Sequence, residues 1–413
     1  MYNSEMLKKI VSEVEYEIEP IYRQIEKTSM HNHARVLKAF QLARVSDFHL
    51  KGGTGYGYGD AGRDVLEKIY AHVFGAEAAL VRGQIVSGTH AIALCLFGVL
   101  QPGDHLLAVQ GAPYDTLEQV IGIRESTPGS LRSYGITYNQ IELLPDGSLD
   151  WQGIGKALSK KTKMVMIQRS RGYAWRPSLS IAEIEKLVQF IKSIQPQTVV
   201  FVDNCYGELV ETKEPCHVGA DLIAGSLIKN PGGGLAPTGG YVVGRKDLVQ
   251  LAANRWTAPG IGDEVGPTLG YHRLLMQGIF IAPHTVAEAL KGAVFTARLF
   301  ERLGYRVSPV YDEHRTDIIQ AIALGDGDKL VEFCRGLQSA SPVDSYVQPE
   351  PDGMPGYDDA VVMAAGTFVQ GASIELSADG PLREPYAVYV QGGLSKEYIK
   401  LGILSAAEAV LNS

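Results

Sequence analysis

Between positions 78 and 244 the sequence alternates short apolar runs with stretches of helical spacing. That alternation restricts the fold more than any other feature. The runs at 79–81, 106–109, 163–168, 198–203, 222–226 and 241–243 predict strands, and stretches such as 89–100 and 181–194 predict helices between them. Strands apolar on both faces and separated by helices imply an α/β domain with a mainly parallel sheet covered on both sides. Ligands of such sheets sit beyond the carboxyl ends of the strands.

The flanking regions read differently. Leu7, Ile10, Val11, Val14 and Ile18 repeat at three and four, which predicts a helix, and a second helical run covers 35–45. Segment 51–60 carries five glycines and predicts a loop, closed by Asp60 as the N-cap of a helix that stops at Gly75. A long helix is expected at 286–303. Beyond it, strand-like runs at 317–323, 360–365, 372–376 and 387–390, with a helix near 329–337, predict a smaller α+β domain. The Pro/Gly-rich piece 348–357 is expected to be an exposed loop. The expected division is an N-terminal helical segment (1–50) packing with the small domain, a large domain (51–285) and a small C-terminal domain (286–413).

A chain of 413 residues is long enough for two domains. A net charge of −8 without a long Lys/Arg run argues against nucleic acid or an anionic membrane as partner. There is no apolar run long enough to span a bilayer, and the polar stretch 1–9 lacks a signal-peptide core. Cys95, Cys205, Cys216 and Cys334 contain no CxxC pair, so neither a metal site nor a disulfide scaffold is suggested. Four scattered thiols fit a cytoplasmic protein. Cys205, two residues past Asp203, could line a pocket, although a buried reduced thiol is the favoured reading of all four.

Asp203 ends the apolar run 199–202, and Lys229 follows in Gly225-Ser226-Leu227-Ile228-Lys229-Asn230-Pro231-Gly232. Each alone reads blandly, as a turn-capping Asp and a surface lysine. Together, in this order in an α/β pattern, they suggest a pyridoxal 5'-phosphate site. That cofactor needs an amine for a Schiff base and a carboxylate to keep its pyridine nitrogen protonated. Ser87-Gly88-Thr89 opens an apolar helix, which fits a phosphate cup or a plain N-cap. Ser226 could add a hydroxyl to the same phosphate. Tyr114 opens another helix and fits either a ring stacked on the pyridine or a packed interfacial tyrosine.

Tyr58-Gly59-Asp60-Ala61-Gly62, Leu66-Glu67, Gly75-Ala76-Glu77-Ala78, Ser87-Gly88-Thr89, Val202-Asp203-Asn204 and Ser226-Leu227-Ile228-Lys229 resemble the cystathionine and methionine gamma-lyase family. The resemblance covers most of the chain. Arg169-Ser170-Arg171-Gly172-Tyr173, Asn230-Pro231-Gly232-Gly233-Gly234 and Gln391-Gly392-Gly393-Leu394 are closer still to its divergent aluminium resistance branch. The resemblance implies the fold-type-I architecture of pyridoxal phosphate transferases and a carbon–sulfur lyase, such as a methionine gamma-lyase or cystathionine beta-lyase of amino acid metabolism. It implies that Lys229 holds the cofactor covalently, Asp203 pairs with the ring nitrogen, and Gly88, Thr89 and Ser226 hold the phosphate. It further implies that Tyr114 stacks on the ring, and that Tyr56 or Tyr58 reaches the phosphate of a neighbouring subunit in a homodimer or homotetramer with shared active sites.

Two departures stand out. The family's Tyr-x-Arg in the glycine-rich loop has no arginine here, and Arg63 lies inside the next helix. The family's Asn-Pro stretch is replaced, so Arg171 or Tyr173 is expected to face the cofactor's ring oxygen. For the carboxylate of a small amino acid substrate the candidate is Arg383, with a surface pair to Glu384 as its bland alternative. Tyr56, Tyr58 and Tyr114 are candidates for the acid that protonates a leaving thiolate. An aminotransferase or an aldolase would use the same catalytic features, and a non-catalytic relative could retain them. A dinucleotide-binding oxidoreductase fails, because Gly53-Thr54-Gly55-Tyr56-Gly57 does not follow a strand. Which amino acid reacts, and whether elimination is at the β or γ carbon, are open at the level of sequence.

Overall fold

The computed structural model describes residues 5–124, 127–354 and 357–413. Positions 1–4 of the expected N-terminal segment, and 355 and 356 of the expected loop, lie outside them. A seven-stranded sheet contains β1 (Ala78–Arg82), β2 (His105–Ala108), β3 (Thr137–Gln140), β4 (Thr162–Gln168), β5 (Val199–Asp203), β6 (Leu222–Ser226) and β7 (Gly240–Gly244). Its order is β1-β7-β6-β5-β4-β2-β3. Strands β3, β2, β4, β5 and β6 run parallel, and β7 lies antiparallel between β6 and β1. The second sheet is antiparallel: β8 (Arg306–Ser308), β9 (Ile319–Ala323), β10 (Val361–Ala364), β11 (Ser377–Pro381) and β12 (Ala387–Gln391), in the order β10-β11-β12-β9-β8.

The helices are α1 (Glu5–Leu42), α2 (Ala61–Phe74), α3 (Gly88–Val99), α4 (Asp115–Ile121), α5 (Trp151–Ala157), α6 (Ile181–Ile194), α7 (Lys246–Trp256), α8 (His272–Arg302), α9 (Gly327–Ser339) and α10 (Lys396–Asn412). Among the described residues, no helix is long and apolar enough to cross a membrane.

Two apolar layers enclose the large sheet. One joins Val65, Leu66 and Ile69 of α2 to Val200, Val202 and Tyr241, and the other joins Leu94, Cys95 and Leu96 of α3 to Met164, Phe201 and Val242. Alternate residues of the inner strands β4 and β5 therefore face opposite layers, which is why their sequences are largely apolar, whereas the edge strand β3 is polar. Asp60 caps α2 as expected, accepting from Arg63 N at 3.1 Å. Gly75 ends that helix in the left-handed region.

Three expectations need correction. First, the N-terminal region is one helix, α1, not two runs. Its middle is polar and contains Pro20, which removes a backbone donor. Packing along α8 holds it in place: Tyr22 Oη donates to Lys291 O at 3.0 Å, Ser29 Oγ to Pro283 O at 3.1 Å, and Lys291 pairs with Glu26 at 3.0 Å. Leu7, Val11, Val14 and Ile18 join the core of the small sheet, whereas Val36 and Ala39 join that of the large one.

Second, 372–376 is a turn, and the strand is the following Ser377–Pro381. Its sequence, Ser-Ala-Asp-Gly-Pro, carries no strand signal, yet it is buried throughout. Backbone proximity explains Gly380, since a Cβ there would lie 2.5 Å from Ala387 O. Gly380→Ala is expected to destabilise the chain by about 1–3 kcal/mol, read as a lowered denaturation midpoint. An unchanged midpoint would show that β11 and β12 can separate freely. Third, the piece 348–357 is not wholly at the surface, because Met354 and Tyr357 reach the cavity described below.

Candidate active site

Strands β4, β5 and β6 are parallel, so Gln168, Asp203 and Ser226 end at the same edge of the large sheet. There a cavity of about 340 Å³ opens between the two sheets. From the large-sheet side it is lined by Ser87, Gly88, Thr89, Tyr114, Asp203, Ser226 and Lys229. The sequence placed all seven in one site, and the structure brings them together.

One end of the cavity is the N-terminus of α3. Ser87 is its N-cap, and Ser87 Oγ accepts from His90 N at 3.0 Å. Gly88 packs against β6, and a Cβ there would approach Cys205 Sγ at 3.3 Å and Ser226 Cβ at 3.4 Å. Free backbone N–H groups at that helix end therefore face an opening that a side chain would narrow. Thr89 Oγ1 and Tyr114 Oη are hydrogen bonded at 2.8 Å. Tyr114 is held in turn at its backbone, where its N–H donates to Gln168 Oε1 at 3.0 Å. Burial, reinforced by the charge of Asp203, pushes the Tyr114 hydroxyl well above its ordinary value, so it keeps its proton at neutral pH.

Asp203 is buried, and its Oδ1 accepts from Cys205 N at 3.1 Å. Burial raises its pKa, opposed by the Cys205 N–H, Lys229 and Arg176. The adjoining backbone is fixed from behind, where Arg169, fully buried, donates to Asn204 Oδ1 at 2.9 Å and Gly207 O at 2.8 Å. Lys229 Nζ lies 3.4 Å from the centroid of the Tyr206 ring and 3.4 Å from Ser373 Oγ. Burial opposes its charge, but Tyr206, Cys205 and Asp203 more than offset that, and its pKa is raised. An amine and a carboxylate thus face one cavity from successive strand ends.

Other expected residues fall elsewhere. Tyr173 lines the cavity, but the Arg171 guanidinium turns to β8 and donates to Ser308 O at 3.0 Å and Ser308 Oγ at 2.9 Å. Arg383 is not part of the lining, and it pairs with Asp359 at 2.9 Å rather than with Glu384. Tyr56 and Tyr58 are 74% and 70% exposed and stand outside the cavity of their own chain. Their loop is nevertheless docked. Gly266 N donates to Tyr56 O at 3.0 Å, Arg63 Nη1 to Gly57 O at 3.0 Å, and Asp60 accepts from Thr268 and His272.

Cys205, buried, also lines the cavity, so the less favoured of its two readings is the one the structure gives. Tyr206, Tyr357, Asp379, Tyr389 and Gln391 also line it, and sequence reasoning missed them. Three of these come from strands β11 and β12. Only the period-two register of those strands could have shown them on one face, and β11 had no strand signal.

The methionine gamma-lyase family model matches residues 7–411. The uncharacterized protein YnbB of Bacillus subtilis (strain 168) is 54% identical over 410 residues, spanning 99% of this chain and 97% of that one. The crystal structure of a carbon-sulfur lyase involved in aluminum resistance from Clostridium novyi NT superposes with a TM-score of 0.94 at 50% identity, covering 98% of this chain and 96% of that one. The L-methionine gamma-lyase of Pseudomonas putida is 27% identical over 221 residues, 52% of this chain and 48% of that protein. With its mainly parallel large sheet and antiparallel small sheet, the architecture is the fold-type-I arrangement that the sequence led us to expect, and the chain belongs to the methionine gamma-lyase family.

Proposed function

We propose that the chain is a pyridoxal-phosphate-dependent carbon–sulfur lyase, eliminating a thiol from a sulfur-containing amino acid to leave an oxo acid and ammonia. The observation that carries this reading is the convergence of Lys229, Asp203 and the open N-terminus of α3 on one cavity. That donor set fits the group: a helix end for the phosphate, a carboxylate for the pyridine nitrogen and an amine for the aldehyde. The bound cofactor supplies an electron sink for the substrate's α carbon.

The chain's own residues do the rest. Ser226 and the N–H groups of Gly88 and Thr89 hold the phosphate. Asp203 keeps the ring nitrogen protonated. Lys229 Nζ would hold the cofactor's aldehyde carbon and would also carry the substrate's α-proton. Tyr114, neutral and oriented by Thr89, is placed to give its hydroxyl proton to a departing sulfur.

The direct test loads purified protein with pyridoxal phosphate, reduces it with borohydride and maps the label by mass spectrometry, which is expected at Lys229. Thioether amino acids are then expected to yield oxo acid and ammonia in equal amounts. Oxo acid without ammonia would mean transamination and would sink the lyase reading.

The chain is further proposed to work as a homodimer or homotetramer with shared sites. Two tyrosines largely exposed on a docked loop, outside their own cavity, support this. Mixing a Lys229→Ala protein with one carrying Tyr56→Phe and Tyr58→Phe is expected to restore activity, because exchanged dimers contain one site free of both defects. Subunit exchange seen by mass without recovery would mean that each chain completes its own site.

A further inference from the structure

Tyr206 lies against Lys229 in a strained backbone conformation. Its φ is +70°, in the left-handed region that a bulky side chain rarely adopts. Such a conformation persists only where the surroundings fix it. Asn230 Nδ2 donates to Tyr206 O at 3.0 Å and to Glu208 O at 2.9 Å, and Ile318 N also donates to Tyr206 O, at 3.2 Å. The turn after β5 is thereby clamped to the residue that follows Lys229 and to the start of the small sheet. Gly207 has no room for a side chain, since a Cβ there would lie 2.5 Å from Arg169 Cδ. At the tip of the ring, Tyr206 Oη and Ser373 Oγ are hydrogen bonded at 3.3 Å. The side chain is therefore held at both ends.

Lys229 Nζ rests on the face of that ring, 3.4 Å from its centroid, and both residues line the cavity. The π electrons of an aromatic face attract a cation, most strongly where water is excluded. Burial works against the charge of Lys229, but Tyr206, followed by Cys205 and Asp203, more than offsets it and raises the pKa of the amine. Glu208 on the same turn and Asp379 on β11 are the other acidic groups that feel the lysine.

We propose that Tyr206 is the positioning residue of Lys229, its ring serving as a seat for the ammonium that the lysine becomes when it takes a proton from the substrate. The proposal rests on the lyase reading for the source of that proton and deepens it. In this step the substrate's Cα–H bond breaks, the proton joins the Nζ lone pair, and the electron pair is left to the cofactor's electron sink. The charge that develops on Nζ then meets a π face already in place, with no side chain left to reorient. A neutral amine gains less from the ring, so the seat makes Lys229 a stronger base.

The test is the protonation constant of the Lys229 amine in the full chain without cofactor, read from the pH dependence of trace acetylation at that residue by mass spectrometry. Tyr206→Phe keeps the ring and loses the hydroxyl, and is expected to stay within about twofold of wild type. Tyr206→Leu is expected to lower the constant about tenfold, which is about one pKa unit. Tyr206→trifluorophenylalanine nearly keeps the shape of the Phe variant and empties the π face, so it is expected to fall with Leu even if the Leu protein proves poorly folded. Equal constants in the Phe and trifluorophenylalanine proteins would overturn the seat. So would a Phe variant that falls as far as Leu, because the hydroxyl would then be the group that matters. The expected fall without turnover of any thioether amino acid by the wild type would uphold the seat and sink the lyase reading. Turnover with equal constants would do the reverse.

Discussion

Replacing Lys229 with alanine is expected to abolish turnover and to leave no borohydride-fixed cofactor on the chain. Under the proposed function the side chain would do two things, supplying the amine that holds the cofactor and moving the substrate's α-proton. Loss of a positioned proton carrier alone costs roughly 10²–10⁴-fold, and loss of the covalent anchor adds to it. The substitution also removes the ammonium lying against Tyr206 and Ser373, so the variant's fold is to be checked by its denaturation midpoint. A folded Lys229→Ala protein with near-normal activity, and no added amine, would show that another group anchors the cofactor.

Asp203→Asn is expected to keep the cofactor and slow removal of the α-proton by on the order of 10²-fold or more. The amide has nearly the same shape, and its oxygen can still accept from Cys205 N, so the turn after β5 survives. What disappears is the negative charge that favours a protonated ring nitrogen. The measurement is exchange of the substrate α-hydrogen with deuterated solvent. A rate equal to wild type would reduce Asp203 to a cap for the turn at 204–205.

The large sheet was legible because its strands are short, apolar and separated by helices with clear ends. The large-sheet half of the cavity lining was legible for the same reason. Asp203, Ser226 and the 87–89 turn sit at strand and helix ends, where sequence signals are sharpest. The other half was not. Ser377–Pro381 carries no strand signal and becomes an inner strand because β10 and β12 pair with both its edges. Asp379 was hidden with it. Arg171 and Arg383 were chosen for their charge, and charge alone does not say which way a side chain turns. One met Ser308 and the other Asp359. The polar strand Thr137–Gln140 escaped because an edge position does not demand an apolar pattern.

Helices α1 and α8 each bridge both cores. The first half of α1 packs with the small sheet and its second half with the large one, whereas α8 runs the reverse course, from Leu275 and Ile279 to Phe295 and Phe300. The two sheets are thus spliced by a pair of beams, each anchored in both bodies. The gap between them is set by rod-like segments whose length cannot be altered without breaking helical turns. Inserting or deleting a turn in either helix would therefore shift one core against the other and change the width of the cleft between the sheets.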